Sequence, residues 1–154
     1  MKFPDTLTVL VRDSDTGLPV KGVAIILVLF AKHKNNYNVG PLITDETGRV
    51  EFTRAECEFT IQREQEAFVM DYQGNLENCR PVIEVRIHLP EHIETMLQNY
   101  KTSPDFWGQG RPKSIFAELQ NVKNADYEPA QIRATEEQLR AKPQLELPLI
   151  KKAV

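Results

Sequence analysis

Apolar residues are concentrated in one uninterrupted run near the start of the chain, Gly22 to Ala31, which reads GVAIILVLFA. The run is short, rich in branched residues, and bounded by turn-forming stretches on both sides, which is typical of a buried β-strand. Both of its faces are apolar, so each face needs a covering layer. We therefore expect this run to be the central strand of a β-sandwich. A buried helix is the alternative interpretation.

Four further segments are predicted as strands; the first, third and fourth alternate between apolar and polar residues, as half-buried strands do, and the second has a break near Gly40-Pro41. They are Leu7–Arg12, Val39–Thr44, Arg49–Phe52 and Val82–Leu89. Between the second and third of these, the sequence Asp-Glu-Thr-Gly at 45–48 predicts a tight hairpin turn with glycine in the left-handed position. Together the five strands predict a β-sandwich domain within residues 1–89.

The segment Thr53–Ala67, which follows the fourth strand, has two interpretations. Its first half alternates like a strand, from Ala55 to Gln62. However, Thr53 and Glu56 form a capping box, and the residues after Ile61 are good helix formers. We predict a helix here and keep a strand as the alternative.

The pattern changes at Pro90, since proline followed by an acidic residue suits the first turn of a helix. Apolar residues then recur at helical spacing, at Ile93, Met96, Leu97 and Tyr100. A second helix is predicted from Ser114 and a third over Pro129–Ala141. We therefore expect residues 90–154 to form a helical arm and a C-terminal tail, packed on the sandwich or on a partner.

Composition narrows the class of protein. The 154 residues, 41% of them hydrophobic, suffice for one domain with a real core and an appended arm. The net charge of −3 disfavours a nucleic-acid binder, which carries a basic face. No apolar run approaches the roughly 20 residues that span a bilayer. Because Pro4 and Asp5 interrupt any export-signal pattern, we expect a cytoplasmic protein with Cys57 and Cys79 as reduced thiols.

Acidic residues in two predicted turns form the one weak candidate for a metal site. If the strands alternate in direction, the first and third loops share one end of the sandwich. That end then collects Asp13, Asp15, Asp45 and Glu46. Calcium binds several such oxygens, but aspartate that stabilises its own turn is the more ordinary interpretation.

Histidine and cysteine do not indicate a catalytic or zinc site. The spacing of His33, His88 and His92 with the two cysteines matches no zinc motif. Pro90 interrupts any helix through His88 and His92, so we expect a surface histidine and a first-turn histidine there. We assign no catalytic residue and no cofactor.

Apolar residues in the C-terminal region are the candidates for partner binding. The Phe-Trp-Gly sequence at 106–108 is either an exposed aromatic anchor or a seal between helix and sheet. The apolar tail is expected to dock, on an open sheet edge as an added strand or on a partner. The candidates are Phe106, Trp107, Leu147, Leu149 and Ile150.

The first third of the chain resembles the carboxypeptidase regulatory-like and transthyretin-like (prealbumin-like) β-sandwich domains. The resemblance lies in Asp-x-Asp-x-Gly-x-Pro-Val-x-Gly-Val before the apolar strand and Thr-Asp-x-x-Gly-x-Val-x-Phe after it. The residues concerned are Asp13, Asp15, Gly17, Pro19, Val20, Gly22, Val23, Thr44, Asp45, Gly48, Val50 and Phe52. The resemblance implies a Greek-key sandwich of about seven strands, and we expect it to extend to Leu89.

Function is a separate question, because such sandwiches host many functions. Relatives that hydrolyse hydroxyisourate carry an N-terminal His and a C-terminal Tyr-Arg-Gly-Ser motif, and intradiol dioxygenases bind iron through paired Tyr and His. This chain has neither set at matching positions. We hypothesise a non-catalytic interaction or structural subunit that binds a protein partner or itself through residues 90–154, with no nucleic acid and no membrane. The alternatives are a small-molecule hydrolase or a calcium- or carbohydrate-binding module.

Overall fold

The computed structural model describes residues 1–32, 36–68, 74–101, 119 and 121–153. These residues form seven strands: β1 Thr6–Asp13, β2 Ala24–Ala31, β3 Tyr37–Ile43, β4 Arg49–Thr53, β5 Cys79–Ile87, β6 Ala130–Thr135 and β7 Gln144–Leu149. Three α-helices have both ends among them: α1 Arg54–Phe68, α2 Pro90–Lys101 and α3 Glu136–Ala141.

The strands form two sheets. The three-stranded sheet has the order β4-β1-β7, and the four-stranded sheet has the order β3-β2-β5-β6. Strand β1 is antiparallel to β4 and parallel to β7, whereas the four-stranded sheet is antiparallel throughout. The predicted mainly-β sandwich is confirmed, and the apolar run supplies β2, an interior strand of the larger sheet.

The core lies between the two sheets and follows the alternation in the sequence. On β1 it is formed by Leu7, Val9 and Val11, which are fully buried. The opposing side chains from β2 and β5 include Ile25, Leu27, Leu29, Ile83 and Val85. Alternate residues of β1 face the other way and are half-buried or exposed.

A second apolar layer lies on the outer face of the four-stranded sheet. Ala24, Ile26 and Val28 of β2 are 0% exposed but are not part of the core between the sheets. Ile93 of α2 and Leu119 are buried outside that core as well. The two-sided burial expected for β2 is thus present.

The predicted helix after β4 is confirmed as α1. The Thr53 hydroxyl accepts a hydrogen bond from the Glu56 N–H at 3.1 Å, which caps the helix as its sequence indicates. Cys57 and Ile61 lie on the face of α1 that packs into the core, and both are buried. The helix contacts β3 and β4 and therefore closes that side of the sandwich.

The helix predicted over 129–141 is wrong in its first half. Residues 130–135 are β6, which pairs with β5 through six residue pairs, from Val82 with Thr135 to Ile87 with Ala130. Helix α3 begins only at Glu136, because Thr135 and Gln138 form a reciprocal capping box at 3.2 and 2.9 Å. The region beyond Pro90 therefore contributes two strands to the sandwich in addition to its helices.

Candidate functional site

Two loops meet at one end of the sandwich, as the predicted strand directions required. The Val11 N–H donates to the Gly48 carbonyl at 2.7 Å. The Thr44 hydroxyl donates to the Val20 carbonyl at 2.7 Å and accepts from the Val23 N–H at 3.0 Å. We call this end the loop end and define it as residues 13–23, 44–48 and 150–152.

The aspartates of the loop end stabilise their own turns. Asp13 Oδ1 accepts the N–H groups of Asp15 and Thr16 at 2.8 and 3.1 Å. Asp45 Oδ1 accepts the Thr47 hydroxyl at 2.6 Å and the Arg49 N–H at 3.1 Å. These hydrogen bonds, led by Thr16 for Asp13 and by Thr47 for Asp45, hold the pKa of each carboxyl below its usual value.

The other two metal candidates point to no shared cation. Asp15 is exposed, and Glu46 pairs with Lys21 at 3.5 Å. Among the described residues, no three His, Cys, Asp or Glu side chains are grouped so that they could hold a metal ion. Asp13 and Asp45 are therefore turn-forming residues, and Glu46 takes part in an exposed ion pair.

The apolar tail docks on the chain itself. Residues 144–149 form β7 along one side of β1, with Val11 opposite Leu147 and Asp13 opposite Leu149. Leu147 and Leu149 are 1% and 0% exposed in the core, so they are not available to a partner. Ile150, the next residue, is 62% exposed. Phe106 and Trp107 lie outside the described residues.

Sequence reasoning missed Leu18, which is 63% exposed in the β1–β2 loop. Leu18 and Ile150 are the two strongly exposed large hydrophobic side chains in the described part of the chain. They lie on opposite sides of the end of β1. The Asp13 N–H donates to the Leu18 carbonyl and the Ser14 N–H to the carbonyl of Leu149, the residue before Ile150, both at 2.9 Å. Consecutive N–H groups of an extended chain point to opposite sides. An apolar residue inside an otherwise polar turn was the available signal.

The backbone that carries both exposed residues is anchored. The Leu18 N–H donates to the Thr16 hydroxyl at 3.2 Å. The carbonyl of Ile150 accepts the Glu128 N–H at 2.8 Å, and Lys151 forms a bridge with Tyr127. In the β3–β4 turn, Gly48 has a φ of 72°, and a Cβ there would lie 2.4 Å from the Val11 carbonyl oxygen. The loop end is therefore preorganised.

A second group of polar residues lies on the outer face of the four-stranded sheet. We call Glu84, Arg86, His88 and Arg133 the polar row. Glu84 is 1% exposed and accepts a hydrogen bond from Arg86 Nε at 2.6 Å and another from Arg133. Burial alone raises the pKa of Glu84, but the hydrogen bonds from Arg133 and Arg86 outweigh it and the net pKa lies below the usual value. Glu84 is a buried carboxylate that stays ionised.

The end of the polar row meets the start of α2. The ring centroids of His88 and His92 are 5.9 Å apart, with ring planes at 75°. His92 is an exposed first-turn residue as expected, but the two rings are neighbours although no helix runs through them. Burial, and then the charges of Arg86 and His92, lower the pKa of His88.

Two clefts flank the N-terminal segment, with volumes of about 260 and 420 Å³. They share Lys2, Phe3 and Arg54. Arg54 donates to the Phe3 carbonyl and pairs with Asp5 at 3.5 Å, while the Lys2 N–H donates to Glu136 at 2.6 Å. Arg54 and Glu136, which line these clefts, thus hold the N-terminal segment in place.

Comparison with known proteins adds no relative: the chain matches no family model, no curated protein and no solved structure. In the described part of the chain, no helix is long and apolar enough to cross a membrane. A function for the loop end or the polar row therefore has to be inferred from the geometry of their residues.

Proposed function

We propose that the chain is a non-catalytic interaction or structural subunit built on a transthyretin-like sandwich, and that its loop end binds a protein partner. One observation carries this proposal. Leu18 and Ile150 are both more than 60% exposed, and both lie at the loop end on hydrogen-bonded backbone. Large apolar side chains on a fixed surface are suited to act as interface anchors.

The rigidity of the loop end favours binding. A surface that is already ordered loses little conformational entropy when a partner binds. Loops positioned by a rigid β-sandwich are also where binding residues are commonly found. Charged residues of the loop end are exposed as well, among them Asp15, Lys21, Glu46 and Lys151, and interfaces commonly have such a polar rim.

The transthyretin-like part of the proposal is supported by the turns. The motif glycines Gly17, Gly22 and Gly48 have positive φ angles of 72°, 83° and 72°. The motif aspartates Asp13 and Asp45 accept backbone hydrogen bonds within the same turns. The resemblance implied about seven strands; five of the described strands lie within residues 1–89, and β6 and β7 from the C-terminal region complete sheets of three and four.

The test is a double substitution, Leu18→Asp with Ile150→Asp. Both side chains are exposed, so we expect an unchanged far-UV circular dichroism spectrum and a melting temperature within a few degrees of the wild type. The full chain and the variant are each used to capture proteins from the native host, and their native masses are measured by light scattering. We expect the variant to lose the partner, or the self-association, that the wild type shows.

The matched control is Ala55→Asp with Ala141→Asp, which places two aspartates at exposed positions remote from the loop end. This control should keep the native mass and the partners. If the loop-end variant keeps both as well, or if the control loses them equally, the loop end is not the binding surface.

A further inference from the structure

The geometry points to a binding site for a divalent transition-metal ion formed by His92 and His88, which is the last residue of the polar row along β5 and its continuation. Their ring centroids are 5.9 Å apart. Two imidazoles that share one zinc ion through bonds of about 2.0–2.1 Å have centroids roughly 5–6 Å apart. The observed spacing lies within this range, although the rings meet at 75°, edge to face, so one ring has to turn before both nitrogens face a shared ion.

The backbone holds the two residues at this spacing. The Leu89 carbonyl accepts the N–H groups of His92 and Ile93 at 3.0 and 3.3 Å, so a tight turn links the strand to α2. Asn124 Nδ2 donates to the His88 carbonyl at 2.8 Å. Asn124 is 1% exposed and also bonds the N–H and carbonyl of Ala24, at 2.8 and 3.1 Å. The backbone of His88 is thus tied to the larger sheet, which favours a preformed site.

The side chains of His88 and His92 differ in burial. His88 is half-buried, whereas His92 is exposed. Because the side chain of His92 is exposed, the proposed site requires only that His92 turn a ring nitrogen toward His88 when the ion binds. The neighbouring cation does not prevent binding, because Arg86 is paired with the buried carboxylate of Glu84 at 2.6 Å.

The chemistry of the site selects the ion. No third His, Cys, Asp or Glu among the described residues completes a group with these two, so the proposed ion would take its remaining ligands from water. Imidazole ligands suit copper, nickel and zinc, and affinity rises toward copper in this series. Calcium and magnesium prefer oxygen ligands and should not bind here.

The test is calorimetric titration of the metal-stripped full chain at pH 7 with ZnCl₂, CuCl₂ and CaCl₂. We expect saturable binding of one zinc or copper ion per chain, tighter for copper, and no saturable calcium binding at this site. Loss of an outer-shell partner alone typically weakens a metal site about 10–100-fold. Loss of a direct ligand in His92→Ala or His92→Gln should therefore weaken binding by more than about tenfold.

His92 is exposed, so these variants should fold, and their circular dichroism melts check this. His33→Ala removes the remaining histidine of the sequence and should bind as the wild type does. In NMR spectra, substoichiometric Cu²⁺ should broaden the ring signals of His88 and His92 first. The site is disproved if wild type shows no saturable zinc or copper binding, if His92→Ala binds equally well, or if His33→Ala abolishes binding.

Discussion

The outer faces of the two sheets differ although the sheets share one core. On the three-stranded sheet, Arg49, Glu51 and Glu146 are exposed, and Arg49 pairs with Glu51 at the surface. On the four-stranded sheet, Ile26 and its neighbours on β2 are 0% exposed. Strand β1 alternates in sequence and has one buried face, whereas β2 is apolar throughout and has two. The number of layers on each sheet thus follows from the sequence of its inner strand.

The difference in burial between the two outer faces also determines whether a charged side chain needs a partner within the protein. Glu51 sits in water and needs no partner, so its ion pair with Arg49 contributes little. Glu84 lies beneath a covering layer at 1% exposure, so its charge has to be compensated within the protein. The two arginines beside Glu84 provide that compensation.

The largest expected difference between the two outer faces is in their tolerance of an added lysine. Ile26→Lys buries an ammonium group directly opposite Arg86, and we expect it to prevent folding, since an unpaired buried charge costs several kcal/mol. Thr8→Lys places the same charge on the open face beside Glu51, where we expect a change of less than about 1 kcal/mol. Urea denaturation followed by circular dichroism measures both. A cooperatively unfolding Ile26→Lys protein would contradict the two-layer description.

A smaller effect is expected from neutralising one carboxylate on each face. Glu84→Gln removes the negative charge and replaces one of the two oxygens that accept from Arg86 and Arg133 with an NH₂ donor, so we expect a loss of about 1–3 kcal/mol in the free energy of unfolding. Glu51→Gln, the matched exposed change, should stay within about 0.5 kcal/mol. Equal losses for the two variants would show that the covered face does not differ from the open one.

The smallest expected effect is the pH dependence of the difference in unfolding free energy between the wild type and Glu84→Gln. The pKa of Glu84 in the folded state lies below its usual value of 4.5, so its ionised form stabilises the folded state at neutral pH. This contribution is lost as the pH falls below about 4.5 and through the folded pKa. The difference in stability between wild type and Glu84→Gln should therefore be constant near neutral pH and shrink in acid. Asp13 and Asp45 are present in both proteins, so their own titrations cancel.

A difference that instead grows in acid would mean that burial, and not the arginines, dominates the pKa of Glu84. Urea denaturation of both proteins at a series of pH values between neutrality and acid distinguishes the two outcomes.

Local pattern predicted much of the fold. Strands β1 to β5 and helix α1 lie within a few residues of their predicted positions, because alternation and capping are properties of short segments. Strand β6 was missed since helix formers follow it directly, at 136–141. The signal that separates them was present: Thr135 and Gln138 have capping-box spacing, which predicts a helix that begins at Glu136.

The candidate sites depend on contacts that no local pattern encodes. The proline between His88 and His92 correctly argues against one continuous helix, yet the turn at Leu89 brings the two rings together by another route. The exposure of Leu18 and Ile150 depends on where the β1–β2 loop and the end of β7 lie relative to β1. Burial of Leu147 and Leu149 follows only once β7 is known to pair with β1.

The pairing of β1 with β7 has a consequence for synthesis of the chain. Strand β1 receives its antiparallel partner, β4, soon after it emerges from the ribosome, but its parallel partner is made only when residues 144–149 appear. Ribosomes add roughly 5–20 residues each second. For several seconds, therefore, one edge of β1 has a row of unpaired backbone donors and acceptors, and such an edge can pair with another chain.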